Sequence, residues 1–236
     1  MRRSSLGIGI WIVCLCTVGV LANGDPLSAQ VKPSTTEVRA YRGLHAAAAS
    51  GNTSVIRRLL ARKANPNAKD SYGRTPCHVA AHFKRRAALT ALLRGGCDPN
   101  ALEQDRYDIV TIAGVADDPQ TLKVALANGA KATNITSRYD GTALIASAHL
   151  GHDEVVRQLV DAGAPLDHIN NLGWTALIEA VILGDGGRRH TTVVRILVEA
   201  KANVDIADRG GVTALDHARS RGYNEMVKIL QPASKR

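Results

Sequence analysis

A nine-residue phrase, Gly73-Arg74-Thr75-Pro76-Cys77-His78-Val79-Ala80-Ala81, returns about every 33 residues along this chain. Gly141-Thr142-Ala143-Leu144-Ile145, Gly173-Trp174-Thr175-Ala176-Leu177-Ile178 and Gly211-Val212-Thr213-Ala214-Leu215-Asp216 echo it downstream. Self-similarity at this period marks stacked supersecondary units, none of which buries its apolar face alone. A stacked array offers long binding surfaces and seldom an enclosed reaction pocket, so function is sought on a face.

The register is countable. With the sixth residue of the phrase as zero, the frame falls at His45, His78, Ala113, Ile145, Ile178 and Asp216, with spacings of 33, 35, 32, 33 and 38. Eighteen residues later comes a small-residue turn: Lys63-Ala64, Gly96-Cys97 and Gly163-Ala164 fit, Gly129-Ala130 arrives two early and Lys201-Ala202 five late. Two short helical patterns lie between these markers. In the fourth copy they cover 142–150 and 153–162, separated by Gly151. Thr142 is the expected N-cap of the first, because a hydroxyl satisfies an orphaned backbone N–H. Asp153 and Glu154 suit the positive end of the second.

The phrase, the internal glycine, the turn and the spacing together resemble the ankyrin repeat over residues 40–232. The expected copies span 40–69, 70–104, 105–136, 137–169, 170–207 and 208–232. The third departs most, since Asp108 to Ala113 lack the phrase; Asp105 and Asn128-Gly129-Ala130 place it. The resemblance implies an all-α solenoid of about six helix-turn-helix repeats with projecting fingers, in which His45 and His78 bond neighbouring loop backbone. It also implies a non-catalytic scaffold for protein–protein interaction. In that family, partner contacts come mainly from positions −7, −6 and −4 of the frame and from +4 and +5. Carried onto this chain, these are Tyr72, Arg74, Arg106, Tyr107, Arg138, Tyr139, Leu172, Trp174 and Arg209 on the fingers, with His82, Phe83 and His149 at helix ends. Tyr, Trp and Arg dominate binding hot spots, and Tyr beside Arg suits an acidic or aromatic protein surface. Packing of Tyr between adjacent fingers is the competing expectation.

The start of the chain reads differently. Met1-Arg2-Arg3 precedes a nearly unbroken apolar stretch from Leu6 to Leu21, and Val20-Leu21-Ala22 suits a signal peptidase. Residues 1–22 are therefore expected to be a signal peptide, 23–39 a disordered linker rich in Pro, Ser and Thr, and 233–236 a basic tail. Sixteen apolar residues are short of the ~20 a membrane span needs. The expected location is periplasmic or secreted, with membrane contact only through an uncleaved leader. Cleavage lowers the net charge from +9 to +7, a basic excess without a nucleic-acid motif. The partner expected is another protein outside the cytoplasm, and the array is expected to be a monomer.

Only Cys77 and Cys97 follow the leader. They are either two small buried thiols or a disulfide, which an oxidising compartment favours. No nucleophile elbow, phosphate loop or zinc-protease helix is present; no enzyme activity, cofactor or metal is expected. The loop 184–190, Gly-Asp-Gly-Gly-Arg-Arg-His, supports an alternative function, binding of a small anion or acidic envelope component.

Overall fold

The computed structural model describes residues 32–235. The expected leader, residues 23–31 of the expected linker and Arg236 lie outside the described residues. Within them the chain forms thirteen α-helices and one closing turn of 3-10 helix. Among the described residues the only β-type pairings are two isolated bridges, Thr136 to Gly141 and Ala207 to Thr213.

After α1 (Thr35–Ala40) come six helix pairs: α2 (Gly43–Ser50) with α3 (Thr53–Ala61), α4 (Pro76–His82) with α5 (Arg86–Arg94), α6 (Ile109–Val115) with α7 (Pro119–Ala127), α8 (Ala143–His149) with α9 (Asp153–Asp161), α10 (Ala176–Ile182) with α11 (Arg188–Glu199), and α12 (Ala214–Ser220) with α13 (Asn224–Leu230). The first helices pack in one row and the second helices in another, each against its neighbours in the stack. This is the all-α solenoid of helix-turn-helix repeats that the period implies.

Local chemistry sets the helix starts. The hydroxyls of Thr142 and Thr175 accept the N–H groups of Ile145 and Ile178, both at 3.2 Å. Thr213 does the same for Asp216 and completes a capping box. The second helices carry one apolar stripe each: in α9, Val155, Val156 and Leu159 are buried, while Glu154 and Arg157 face solvent. The first helices are enclosed nearly all round, as in α10, where Ala176 to Val181 are buried. Alanine is frequent there because neighbouring helices in a solenoid approach closely.

The third repeat corrects the frame. Asp108 takes the capping threonine's place, accepting the N–H of Thr111 at 2.8 Å. The frame position is therefore Thr111, not Ala113, and Gly129-Ala130 then follows by the regular interval. Backbone dihedrals agree. Five residues before the frame, Gly73, Asp140, Gly173 and Gly211 all have positive φ, and so does Arg106, at 65°. Tyr107 thus stands at −4, the finger's base, and not at −6.

The expected linker is also revised. Residues 35–39 belong to α1, closed by a capping box between Ser34 and Glu37. Pro33 is buried, the Lys32 ammonium lies 4.7 Å from the centroid of the Phe83 ring, and Glu37 is ion-paired with Arg74. Residues 32–37 form a strap over the second repeat. At the other end, the Ser234 hydroxyl is 2.7 Å from Asp205, which also accepts the Lys235 N–H at 3.2 Å; the tail folds back on the last finger.

Candidate functional site

Each finger is shaped by one polar side chain eight residues before the frame. Asp70, Glu103, Asn170 and Asp208 each use one oxygen to accept two backbone N–H groups, two and four residues further on, at 2.8–3.0 Å. Ser137 accepts one, from Tyr139, at 3.2 Å. Main-chain bonds then join neighbouring fingers: the N–H of Gln104 to the carbonyl of Tyr72 at 3.0 Å, that of Ser137 to Arg106 at 3.0 Å, and that of Asn171 to Tyr139 at 2.9 Å. The histidines of the phrase brace the fingers from below. His45 Nε2 is 2.9 Å from the Arg74 carbonyl, and His78 Nε2 is 3.0 Å from that of Ala101. Burial drags His78 down to about 4, so the imidazole is neutral in this role.

This frame sorts the twelve expected contact residues by position. At −6 the side chain points outward: Tyr72, Tyr139 and Leu172 are 40, 46 and 41% exposed. At −4 it points to the core: Arg74 is 1% and Tyr107 6% exposed, and Trp174 packs half-buried against the core cluster. Arg74 and Tyr107 are therefore not free contact residues. Arg74 bonds Asp70 at 2.8 Å and Glu37, and lies 4.5 Å from the centroid of the Tyr72 ring. Burial works against its charge, but the two carboxylates outweigh burial and raise its pKa. His82 and Phe83 are half-buried beside the strap, and burial pulls His82 down to about 3.

The other arginines are engaged as well. Arg106 pairs with Asp140 at 2.9 Å, and Arg138 with Asp105 at 2.7 Å, two reciprocal bridges between the third and fourth fingers. Arg209 donates to the carbonyl of Asn171. Arg106, Arg138 and Arg209, expected as partner contacts, are thus engaged in finger-to-finger pairing.

Four of the twelve meet in one place. Tyr107, Tyr139, His149 and Leu172 line a groove of about 380 Å³ between the fingers and first helices of repeats three to five. Ile145, Leu150 and Leu183 add apolar wall, and Asn170 and Glu179 form polar floor. Glu179 accepts from the Asn170 amide at 2.7 Å and lies 3.1 Å from His149 Nδ1. Sequence reasoning missed Glu179, yet a signal existed. The residue after the frame is apolar in the second and fourth copies, as Val79 and Ala146, and an acid in the fifth.

Cys77 and Cys97 are buried with their sulfurs in contact and Cα atoms 6.5 Å apart, inside the ~7 Å that a disulfide requires. The 184–190 loop does not match its alternative reading. Arg189 is held by Asp117 at 2.9 Å and Asp153 at 3.2 Å. The N–H of Gly187, at the start of α11, is taken by Asp185 at 2.8 Å. An acid already sits where an anion was expected.

Comparison with known proteins agrees with this geometry. Family profiles described as "Ankyrin repeats (3 copies)" and "Ankyrin repeats (many copies)" match residues 110–208 and 44–93. The crystal structure of an ankyrin repeat domain from Acinetobacter baumannii AYE is 41% identical, with a TM-score of 0.77, over 80% of this chain and 96% of that one. The putative ankyrin repeat protein YahD of Escherichia coli K12 is 29% identical over 78% of this chain and 92% of its own length. The ankyrin repeat domain of Bcl-3, described as a unique member of the IkappaB protein family, superposes with a TM-score of 0.73 at 26% identity, covering 82% of this chain and 86% of that one. The chain belongs to the ankyrin-repeat family. Proteins of this family in general mediate protein–protein interaction.

Proposed function

We propose that this protein is a non-catalytic scaffold whose partner protein docks in the groove of repeats three to five. One observation carries this reading. Tyr139, Leu172 and Leu183 are large, exposed and apolar or aromatic, and all three line the same groove. An exposed apolar surface framed by polar residues is characteristic of interaction sites. The bonded fingers hold Tyr139 and Leu172 in place, and Leu183 caps the end of α10, which lowers the ordering cost of binding. The first two repeats contribute less, because the strap covers Arg74 and lies against Phe83.

The leader supports a second element of the proposal, that the repeats work outside the cytoplasm. Its basic start, apolar run and small or apolar residues at 20–22 suit an export signal. N-terminal sequencing of the protein from an envelope fraction tests this. A start near Asn23 is expected, and a start at Met1 in the cytoplasmic fraction contradicts it.

The docking proposal is tested with Tyr139→Ala combined with Leu172→Ser. Loss of partner co-purification with an unchanged melting temperature is the expected result. Full retention of the partner contradicts the groove as its site.

A further inference from the structure

Resting on the groove as docking site, we infer that its occupant is a partner segment that places a lysine or arginine beside an apolar side chain, with the cation seated on Glu179. Glu179 is an acid enclosed in α10, 5% exposed, and its carboxylate belongs to the groove floor. Its bonds are to Asn170 at 2.7 Å and His149 at 3.1 Å. A carboxylate offers about four acceptor positions, so roughly two remain for a ligand. Among the described residues, no lysine or arginine is ion-paired with it.

That sets Glu179 apart from the other buried acids. Asp118 is paired with Arg86 at 2.8 Å, and the half-buried Asp70 with Arg74 at 2.8 Å. Asp108 is consumed as a helix cap and by the Asn134 amide, at 2.8 Å each, and is not part of the groove lining. At the rim, the bridges Arg106–Asp140 and Arg138–Asp105 cancel their own charges. Glu179 is therefore the one acid in the groove lining, with the His149 imidazole beside it, although the chain as a whole carries +9. A partly enclosed site strengthens its pull on a cation, since electrostatic forces grow as water is excluded.

Shape points the same way. Above Glu179 stand Tyr139, Leu172 and Leu183, against which an apolar side chain and the methylene stem of a lysine or arginine pack while the charged end goes deeper. A volume of about 380 Å³ lies at the lower end of the ~300–1,000 Å³ typical of ligand sites, which suits a few side chains of an extended segment.

The test uses the exported chain and a displayed random-peptide library. Sequences enriched on the wild type are expected to carry Lys or Arg next to a Leu, Phe, Tyr or Trp. For a synthetic peptide of that sequence, Glu179→Gln should weaken binding about tenfold or more. Replacing the peptide's basic residue with Met should weaken binding to the wild type equally, without relying on how the variant folds. The two changes together should cost little more than either alone, because they remove one contact; a merely structural effect of Glu179→Gln would weaken both peptides to the same degree. Peptides that lose binding with Tyr139→Ala and Leu172→Ser but carry no basic residue, or tolerate Glu179→Gln, overturn the cation inference and leave the groove standing. Peptides indifferent to Tyr139 and Leu172, or no enrichment at all, overturn both.

Discussion

Tyr107 and Tyr139 occupy consecutive fingers, yet the first is sealed at its finger's base and the second stands in solvent. The difference is two residues of register, −4 against −6. It converts one hot-spot candidate into a core residue. Tyr107→Ala should therefore destabilise the fold by about 3–5 kcal/mol, the usual cost of truncating a large buried aromatic. Tyr139→Ala should stay within about 0.5 kcal/mol, as exposed substitutions do. Urea denaturation of the two variants checks this, and equal losses would contradict the corrected register.

Arg74 ties the strap to the second finger through Glu37 and Asp70. Removing one member of a buried ion pair typically costs about 3–5 kcal/mol, because the other charges are left enclosed. Arg74→Ala should lose that much stability and also free the strap. Amide hydrogen exchange in residues 35–40 should accelerate, and unchanged exchange there would show that the strap is held by other contacts.

Acid should weaken the fold earlier than carboxylate chemistry alone would predict. Burial holds His78 near 4 in the folded protein against an ordinary 6.5. The unfolded chain therefore binds a proton that the folded chain refuses. This stability is complete above about pH 6.5 and is lost as pH falls toward 4. The displacement corresponds to roughly 3 kcal/mol for His78 alone, and His82 acts in the same direction. The urea midpoint should fall steadily from pH 7 to pH 4.5; a flat profile across that range contradicts a neutral, enclosed His78.

A bond between Cys77 and Cys97, which we propose together with export, closes a loop over a sequence separation of 20 residues. In the chain-entropy model such a loop contributes ~3 kcal/mol, or roughly 6–12 °C in melting temperature for a domain of this size. Reductant should lower the melting temperature by that amount. Complete thiol labelling of the native, unreduced protein would instead establish two free buried cysteines.

The repeat was legible where the helix caps keep their letters. Thr142, Thr175 and Thr213 announce three first helices because one hydroxyl solves one backbone problem at the same place each time. The third copy was misread because Asp108 solves that problem with a carboxylate, leaving chemistry intact and spelling changed. The strap was not legible for another reason. Glu37 in its short helix is held by Arg74, 37 positions away, and Lys32 before that helix lies over Phe83, further still along the chain, while its Pro, Ser and Thr content reads as linker. Of the expected contact face, the family resemblance placed Tyr72, Tyr139 and Leu172 at −6, where they stand outward, but it placed Tyr107 there too, because the third copy was misread. The pairing of Arg106 and Arg138 with acids on the neighbouring finger was not legible, because it depends on how fingers stack.

The docking claim is tested most directly by photo-crosslinking in cells, with a photoreactive amino acid placed in turn at positions 172, 139 and 83. The account predicts a discrete protein adduct from 172 and 139, in the groove, and none from 83, beneath the strap. An adduct from 83 with none from 172 or 139 would contradict it.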